Sequence, residues 1–292
     1  MNLPDISQTL LEAQSRGLDR LDAQMLLLHA LGRPGHQRAW LISHDTDALP
    51  PDALLAMKDY VWRRTAGEPL AYITGHTEFF GLDLLVDKRV LVPRPDTETL
   101  VDWTLDVLEE AKYGTERLAV LDLGTGSGAV ALALKATRPA LQVSAIDSSR
   151  DALAVARNNA QRLRLEVHFD LGSWLDGVQA RYDAIVSNPP YVAAHDPHLL
   201  TLTHEPLVAL TSGPDGINDI RRIINQAPAH LQTGGWLLLE HGYDQAARVR
   251  KLLEQGGFKE VQSRKDLGGI ERCSGGRNRS LAPGPVSRIS GR

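Results

Sequence analysis

Between residues 118 and 240 two kinds of pattern alternate, and that alternation limits what the chain can fold into more than any other feature. Apolar runs at 118–123, 141–146, 165–169, 182–187 and 235–240 have the length of strands. Helical patterns lie between most of them: 129–137, a stretch from Ser149 through Leu163, and 217–231, which Pro228 should kink or shorten. Beyond the fifth run, 244–255 is amphipathic through Ala247, Val249, Leu252 and Leu253 and stops at Gly256-Gly257, and 258–261 starts a further strand. Strands alternating with helices predict an α/β domain built on a doubly wound, mostly parallel sheet. Open sheets of this kind bind ligands outside the carboxyl ends of their strands, so the residues just past each run are the ones to read for function.

Three of those strand ends carry chemistry. The first run leads into Leu121-Asp122-Leu123-Gly124-Thr125-Gly126-Ser127-Gly128, where glycines let the backbone approach a ligand and aim helix-start N–H groups at it. The second ends in Asp147, placed to accept hydrogen bonds from ribose hydroxyls. The fourth, through Ala184-Ile185-Val186, is stopped by Ser187-Asn188-Pro189-Pro190-Tyr191. A Pro-Pro pair cannot donate to a sheet ladder, so the chain leaves the sheet there and Asn188 is stranded at its edge. The Asn188 carboxamide oxygen and the Pro189 carbonyl offer two acceptors in fixed geometry, matching a planar NH₂ group with two protons to donate. Tyr191 adds a flat face for a planar amide or base. The glycine spacing is G-x-G-x-G rather than the G-x-G-x-x-G of nicotinamide-cofactor enzymes. With Asp147 and the turn 188–191, it is the arrangement of a Rossmann-like S-adenosylmethionine-dependent methyltransferase. Ser173-Trp174 follows the third run, where Trp174 can stack on adenine or simply pack.

The other segments frame this domain. Residues 1–72 read as a helical bundle: Leu21, Met25 and Leu28 share a face that Leu26, Leu27 and Leu31 widen, and Leu54, Met57 and Val61 align in a second helix over 51–65. These stripes carry no catalytic constellation and are assigned to core packing, with substrate docking as the domain's role. Residues 73–95 suggest a β-hairpin linker around Gly81, and the methyltransferase domain spans 96–274. Asp96 is a candidate cap for a helix carrying Leu100, Trp103, Leu105 and Leu108, with Glu98 in its first turn. Residues 275–292 hold Gly, Ser, Pro and Arg without an acid, and are expected to be a disordered basic tail.

Composition narrows the class. The chain has 292 residues, a net charge of −4 and a single cysteine, Cys273, so no internal disulfide and no cysteine-built zinc site is expected. His195, His198, His204 and His241 match no zinc spacing, and no metal is expected. The start, Met1-Asn2-Leu3-Pro4-Asp5, lacks the basic and apolar regions of a signal peptide, and no run is long enough to span a membrane. A cytoplasmic monomer with no membrane association and no stable nucleic-acid complex is the expectation.

Several stretches together resemble the bacterial protein-(glutamine-N5) methyltransferases of the PrmC/HemK type, over about residues 5–272: 67–72, 78–82, Pro93-Arg94-Pro95-Asp96-Thr97-Glu98, 122–128 and 187–191. The resemblance implies S-adenosylmethionine as cofactor and, as substrate, the glutamine of the Gly-Gly-Gln motif in class-I peptide chain release factors, linking the chain to translation termination. It further implies that Gly124, Thr125, Gly126, Ser127, Gly128, Asp147 and Trp174 contact the cofactor. Asn188 would touch cofactor and substrate, with Pro189, Pro190 and Tyr191 completing the glutamine pocket. Two positions depart from the pattern: Ser173 stands where the family usually has Asp, and the residues after Arg272 do not follow the usual final strand. The nearest rival is a DNA or RNA base N-methyltransferase, since an exocyclic amine fits the same turn. A non-catalytic ribosome- or factor-binding protein and an NAD-dependent oxidoreductase are the others.

Overall fold

The computed structural model describes residues 3–110 and 118–278. Five helices open it: α1 (Ile6–Ser15), α2 (Arg20–Ala30), α3 (Arg38–Ser43), α4 (Pro51–Thr65) and α5 (Leu70–Thr74). Asp5 begins α1 with a reciprocal capping box to Gln8, and Pro51, with no N–H to satisfy, opens α4. The core of this bundle gathers Leu26, Leu27, Leu28, Leu41, Met57 and Val61. The expected stripe of α2 is therefore rotated: Leu26 and Leu27 are fully buried, while Leu21 is 50% exposed.

A hairpin follows, β1 (His76–Phe79) paired antiparallel with β2 (Leu82–Leu85). Phe80 and Gly81 both take positive φ, the backbone hand that matches strand twist in a two-residue turn. Pro95–Thr97 then forms a single 3-10 turn before α6 (Glu98–Glu110). Asp96 is not the helix cap the sequence suggested. Pro95 starts the turn one residue earlier, no side chain caps it, and Asp96 pairs instead with Arg272 at 3.2 Å. Glu98 does lie in the first turn, where its carboxylate accepts from Phe80 N at 2.9 Å and ties α6 to the hairpin.

The remaining elements are β3 (Ala119–Leu123), α7 (Ala129–Thr137), β4 (Gln142–Asp147), α8 (Arg150–Leu163), β5 (His168–Leu171), β6 (Tyr182–Ser187), α9 (Asn218–Gln226), β7 (Leu231–Glu240), α10 (Ala246–Gln255), β8 (Lys259–Lys265) and β9 (Glu271–Arg277). They make one seven-stranded sheet in the order β5-β4-β3-β6-β7-β9-β8, parallel except for β9, which runs against both neighbours. Successive residues of β3 point to opposite faces: Val120 joins α6 and α7 in one core, and Leu121 joins α9 and α10 in the other.

Three boundaries differ from expectation. The third strand lies at His168–Leu171 rather than 165–169. The helix of 217–231 stops at Gln226, Pro228 falls in a 3-10 turn, and the fifth strand already begins at Leu231. The tail does not begin at 275, because Gly275, Gly276 and Arg277 complete β9 between β7 and β8. The rest of the expected tail, 279–292, lies outside the described residues. No helix among the described residues is long and apolar enough to cross a membrane.

Candidate active site

Strand register brings the three informative strand ends to one edge. Leu123 pairs with Ile146 on β4 and with Ser187 on β6, so Gly124, Asp147 and Asn188 leave the sheet side by side. A cavity of about 420 Å³ opens there. Gly124, Thr125, Gly126 and Ser127 of the glycine loop line it with Asp147, Trp174, Asn188 and Pro190, joined by Val90, Leu91 and Pro93 of the linker and by Pro206 and Val208; Gly128 is not among the lining residues.

The loop is held from below and from the side. Gly124 N and Thr125 N donate to Ile146 O at 2.8 and 3.1 Å, and Gly126 N donates to Asp147 Oδ2 at 2.9 Å. The other Asp147 oxygen accepts from Ser149 N at 2.8 Å, and with Ser148 N–H also acting on the carboxylate one lone pair is left for a ligand. Burial raises the Asp147 pKa, against the pull of these N–H groups. Gly124 has φ of +70°, the left-handed conformation that favours glycine, and the Trp174 ring lies close over it. Trp174 is fixed in turn by Asp219, which accepts its indole N–H at 3.0 Å and a hydroxyl proton from Ser212 at 2.6 Å. A flat ring, a carboxylate with spare acceptor capacity and a glycine-rich loop fit the adenine, ribose and sulfonium tail of S-adenosylmethionine.

The acceptor turn divides in two. Asn188 and Pro190 reach the cavity, whereas Pro189 is buried and Tyr191 points its hydroxyl to Glu240 Oε1 at 3.4 Å. Ser187 Oγ donates to Leu123 O at 2.7 Å and Gln245 Nε2 donates to Tyr191 O at 2.9 Å, pinning the turn at both ends. Asn188 Nδ2 donates to Thr97 Oγ1 at 3.1 Å. Ser173 is not among the described residues that line the cavity.

Three residues of the site escaped the sequence reading. Asp122 lines the cavity, 2% exposed, and accepts from Thr125 Oγ1 at 2.7 Å; burial pushes its pKa up to about 7. Thr97 is nearly buried beside Asn188. Glu240 is 1% exposed, its pKa pushed up to about 7 chiefly by burial. Thr97 lies in the 93–98 run that carries the family resemblance, but its pairing with Asn188, 91 positions on, had no local sign. Glu240 carried one: a carboxylate directly after four buried apolar residues, at the same sheet edge as Asn188. No group of three or more His, Cys, Asp or Glu among the described residues is placed to hold a metal ion.

Known families match both the helical bundle and the sheet domain. Residues 5–75 match the PrmC N-terminal domain model and residues 101–209 the methyltransferase small domain model. A Bordetella pertussis protein named release factor glutamine methyltransferase is 49% identical over 264 residues, 89% of this chain and 95% of its own. A Coxiella burnetii protein of the same name is 44% identical over 255 residues, 87% of this chain and 90% of its own. Among solved structures, a Pyrococcus furiosus methyltransferase superposes with a TM-score of 0.51 at 18% identity, over 69% of this chain and 91% of that one, a likeness of fold.

Proposed function

The chain belongs to the release factor glutamine methyltransferase family, and from that premise we propose that it methylates the side-chain N5 of the glutamine in the Gly-Gly-Gln motif of class-I peptide chain release factors. The enzyme is an S-adenosylmethionine-dependent methyltransferase of the α/β class. The observation that carries the acceptor assignment is the presence of Asn188 and Pro190 in the same cavity as Gly124, Asp147 and Trp174.

When bound, S-adenosylmethionine supplies the methyl group from a sulfonium, which departs as the neutral thioether as the new C–N bond forms. Gly124 to Gly128 and Asp147 would hold it, with Trp174 placed to stack on its adenine. A glutamine amide is a poor nucleophile because its lone pair is shared with its carbonyl. Asn188 Oδ1 accepts one of its two N–H bonds and so favours the positive charge that builds on nitrogen in the transition state. Fixing the nitrogen in line with the methyl lowers the barrier further. The methylated nitrogen is acidic and releases one proton to solvent, so no strong general base is required.

The α1–α5 bundle docks the release factor beside the cavity, and the enzyme works as a cytoplasmic monomer without a stable nucleic-acid complex. The domains fall at 1–72, 73–95 and from 96 to the end of β9. The test is transfer of labelled methyl to an intact release factor, beside its Gly-Gly-Gln glutamine-to-alanine variant and duplex DNA. Label on the intact factor alone is expected. Label on DNA would move the assignment to a base N-methyltransferase, and label on neither would leave a factor-binding role.

A further inference from the structure

An asparagine can present either end of its carboxamide to a ligand, and only the oxygen end recognises an N–H group. Which end faces the cavity is decided behind the turn. Ser187 pairs with Leu239, so Asn188 and Glu240 emerge side by side from β6 and β7. Thr97 lies between them: its Oγ1 accepts from Asn188 Nδ2 at 3.1 Å, and its side chain rests against the Glu240 carboxyl. Thr97 is 4% exposed and Glu240 1%, so water does not readily substitute for either partner. Glu240 Oε1 faces the Tyr191 hydroxyl, and Oε2 is buried without a hydrogen-bond partner of normal geometry. A threonine hydroxyl has a single proton, and once its lone pair has taken Asn188 Nδ2–H that proton needs an acceptor. An ionised carboxylate with an unfilled oxygen can only accept.

We propose that Glu240 is a positioning residue which, through the Thr97 hydroxyl, locks Asn188 with Nδ2 inward and Oδ1 toward the cavity, so that the site selects a primary carboxamide over a carboxylate. This rests on the glutamine-acceptor reading above and explains how that reading discriminates glutamine from glutamate, two side chains of nearly equal shape. Removing a buried acceptor that matches a substrate N–H is the kind of change that collapses such discrimination.

The lock is sensitive to pH. Four other groups act on Glu240: Asp96, in the same turn as Thr97, opposes its ionisation, Arg272 of β9 favours it, and the Tyr191 hydroxyl and buried Cys273 thiol stay neutral, their pKa values raised by burial. A proton on Glu240 turns an acceptor into a donor, frees the Thr97 hydroxyl to rotate and releases Asn188. Turnover should therefore fall as pH drops through about 7.

The test uses the full enzyme with an intact release factor and its Gly-Gly-Gln glutamine-to-glutamate variant, measuring kcat for the first and Kd for both. Thr97→Val should cut kcat at least about tenfold and shrink the glutamine-over-glutamate affinity ratio about tenfold. Its affinity for S-adenosylmethionine should change less than about twofold, and Thr97→Ser should restore both losses. In Glu240→Gln the acid limb of the kcat profile should vanish. Retention of the affinity ratio in Thr97→Val, failure of Thr97→Ser to rescue, or an unchanged acid limb in Glu240→Gln overturns the lock. If the wild-type enzyme fails to methylate the intact factor, the glutamine reading itself falls, and the lock with it.

Discussion

At Gly216 the backbone has φ of +73°, and a Cβ would come within 2.3 Å of the Tyr191 carbonyl oxygen and 3.1 Å of Ala193 N. That approach lets Gln245 hold the same carbonyl and keeps the turn 188–191 in place from outside the cavity. Gly216→Ala should cost about 1–3 kcal/mol in urea unfolding, from overpacking and left-handed strain, and should lower kcat more than cofactor affinity. Asn188→Ala is the sharper probe. It removes an acceptor used most in the transition state, so kcat should fall by roughly a hundredfold with S-adenosylmethionine affinity within a few-fold of wild type; equal losses in both would refute the assigned role. The residues legible in the sequence, Gly124, Asp147 and Asn188, were those whose meaning is local, each ending a recognisable strand. Thr97 becomes meaningful only when the turn before α6 is set against Asn188, Glu240 gains its meaning when register puts β7 beside β6, and Asp122 only when burial is known.

At the scale of elements, β9 shows why the helices and parallel strands were legible and the end of the sheet was not. Glycine is depleted in strands, and from Gly275 on the sequence looks like a solvated tail. In the structure the glycines are there for space. A Cβ on Gly275 would lie 2.5 Å from Leu238 Cδ2 and 3.1 Å from the Trp103 ring, and one on Gly276 would meet Phe258 at 2.8 Å. The strand must be thin because β9 lies between α6 and α10 where both press on the sheet. Asn278 then closes it, exchanging backbone hydrogen bonds at 2.7 Å with Gly234 and Gly235. Gly275→Ala should accordingly destabilise the enzyme by about 1–3 kcal/mol despite improved strand propensity, read as a lower urea midpoint. A chain ending after Ser274 should unfold at a midpoint well below that of one ending after Asn278. Equal midpoints for the two truncations would show that the last turn of β9 contributes nothing.

Over the whole molecule, the sheet edge is closed by segments far apart in sequence. The fully buried Asn159 of α8 donates to Leu85 O of the hairpin and Ser127 O of the glycine loop, and accepts from Leu85 N. Arg94 pairs with buried Glu205, and the linker packs Val86, Val90 and Val92 onto α8. Asp122 and Glu240 are both almost fully buried at this edge, which makes stability depend on pH in an unusual direction. Both carboxyls have folded pKa values near 7, above their ordinary values of 3.8 and 4.5, so the folded state holds protons that the unfolded chain has released. Their contribution is therefore largest at acid pH and declines as pH rises from about 4 to about 7. The histidines His29 and His241, lowered mainly by burial, act in the opposite sense below about 6.5, so a raw stability curve mixes the two. Comparing Asp122→Asn with wild type cancels the histidines, which are common to both. Unfolding free energies of the two cofactor-free proteins should diverge in favour of Asp122→Asn by on the order of 2–4 kcal/mol between pH 4.5 and 7.5, because the amide removes a buried charge that wild type must carry at the higher pH. A constant difference across that range would mean that Asp122 titrates at its ordinary value, with water reaching the floor of the cavity.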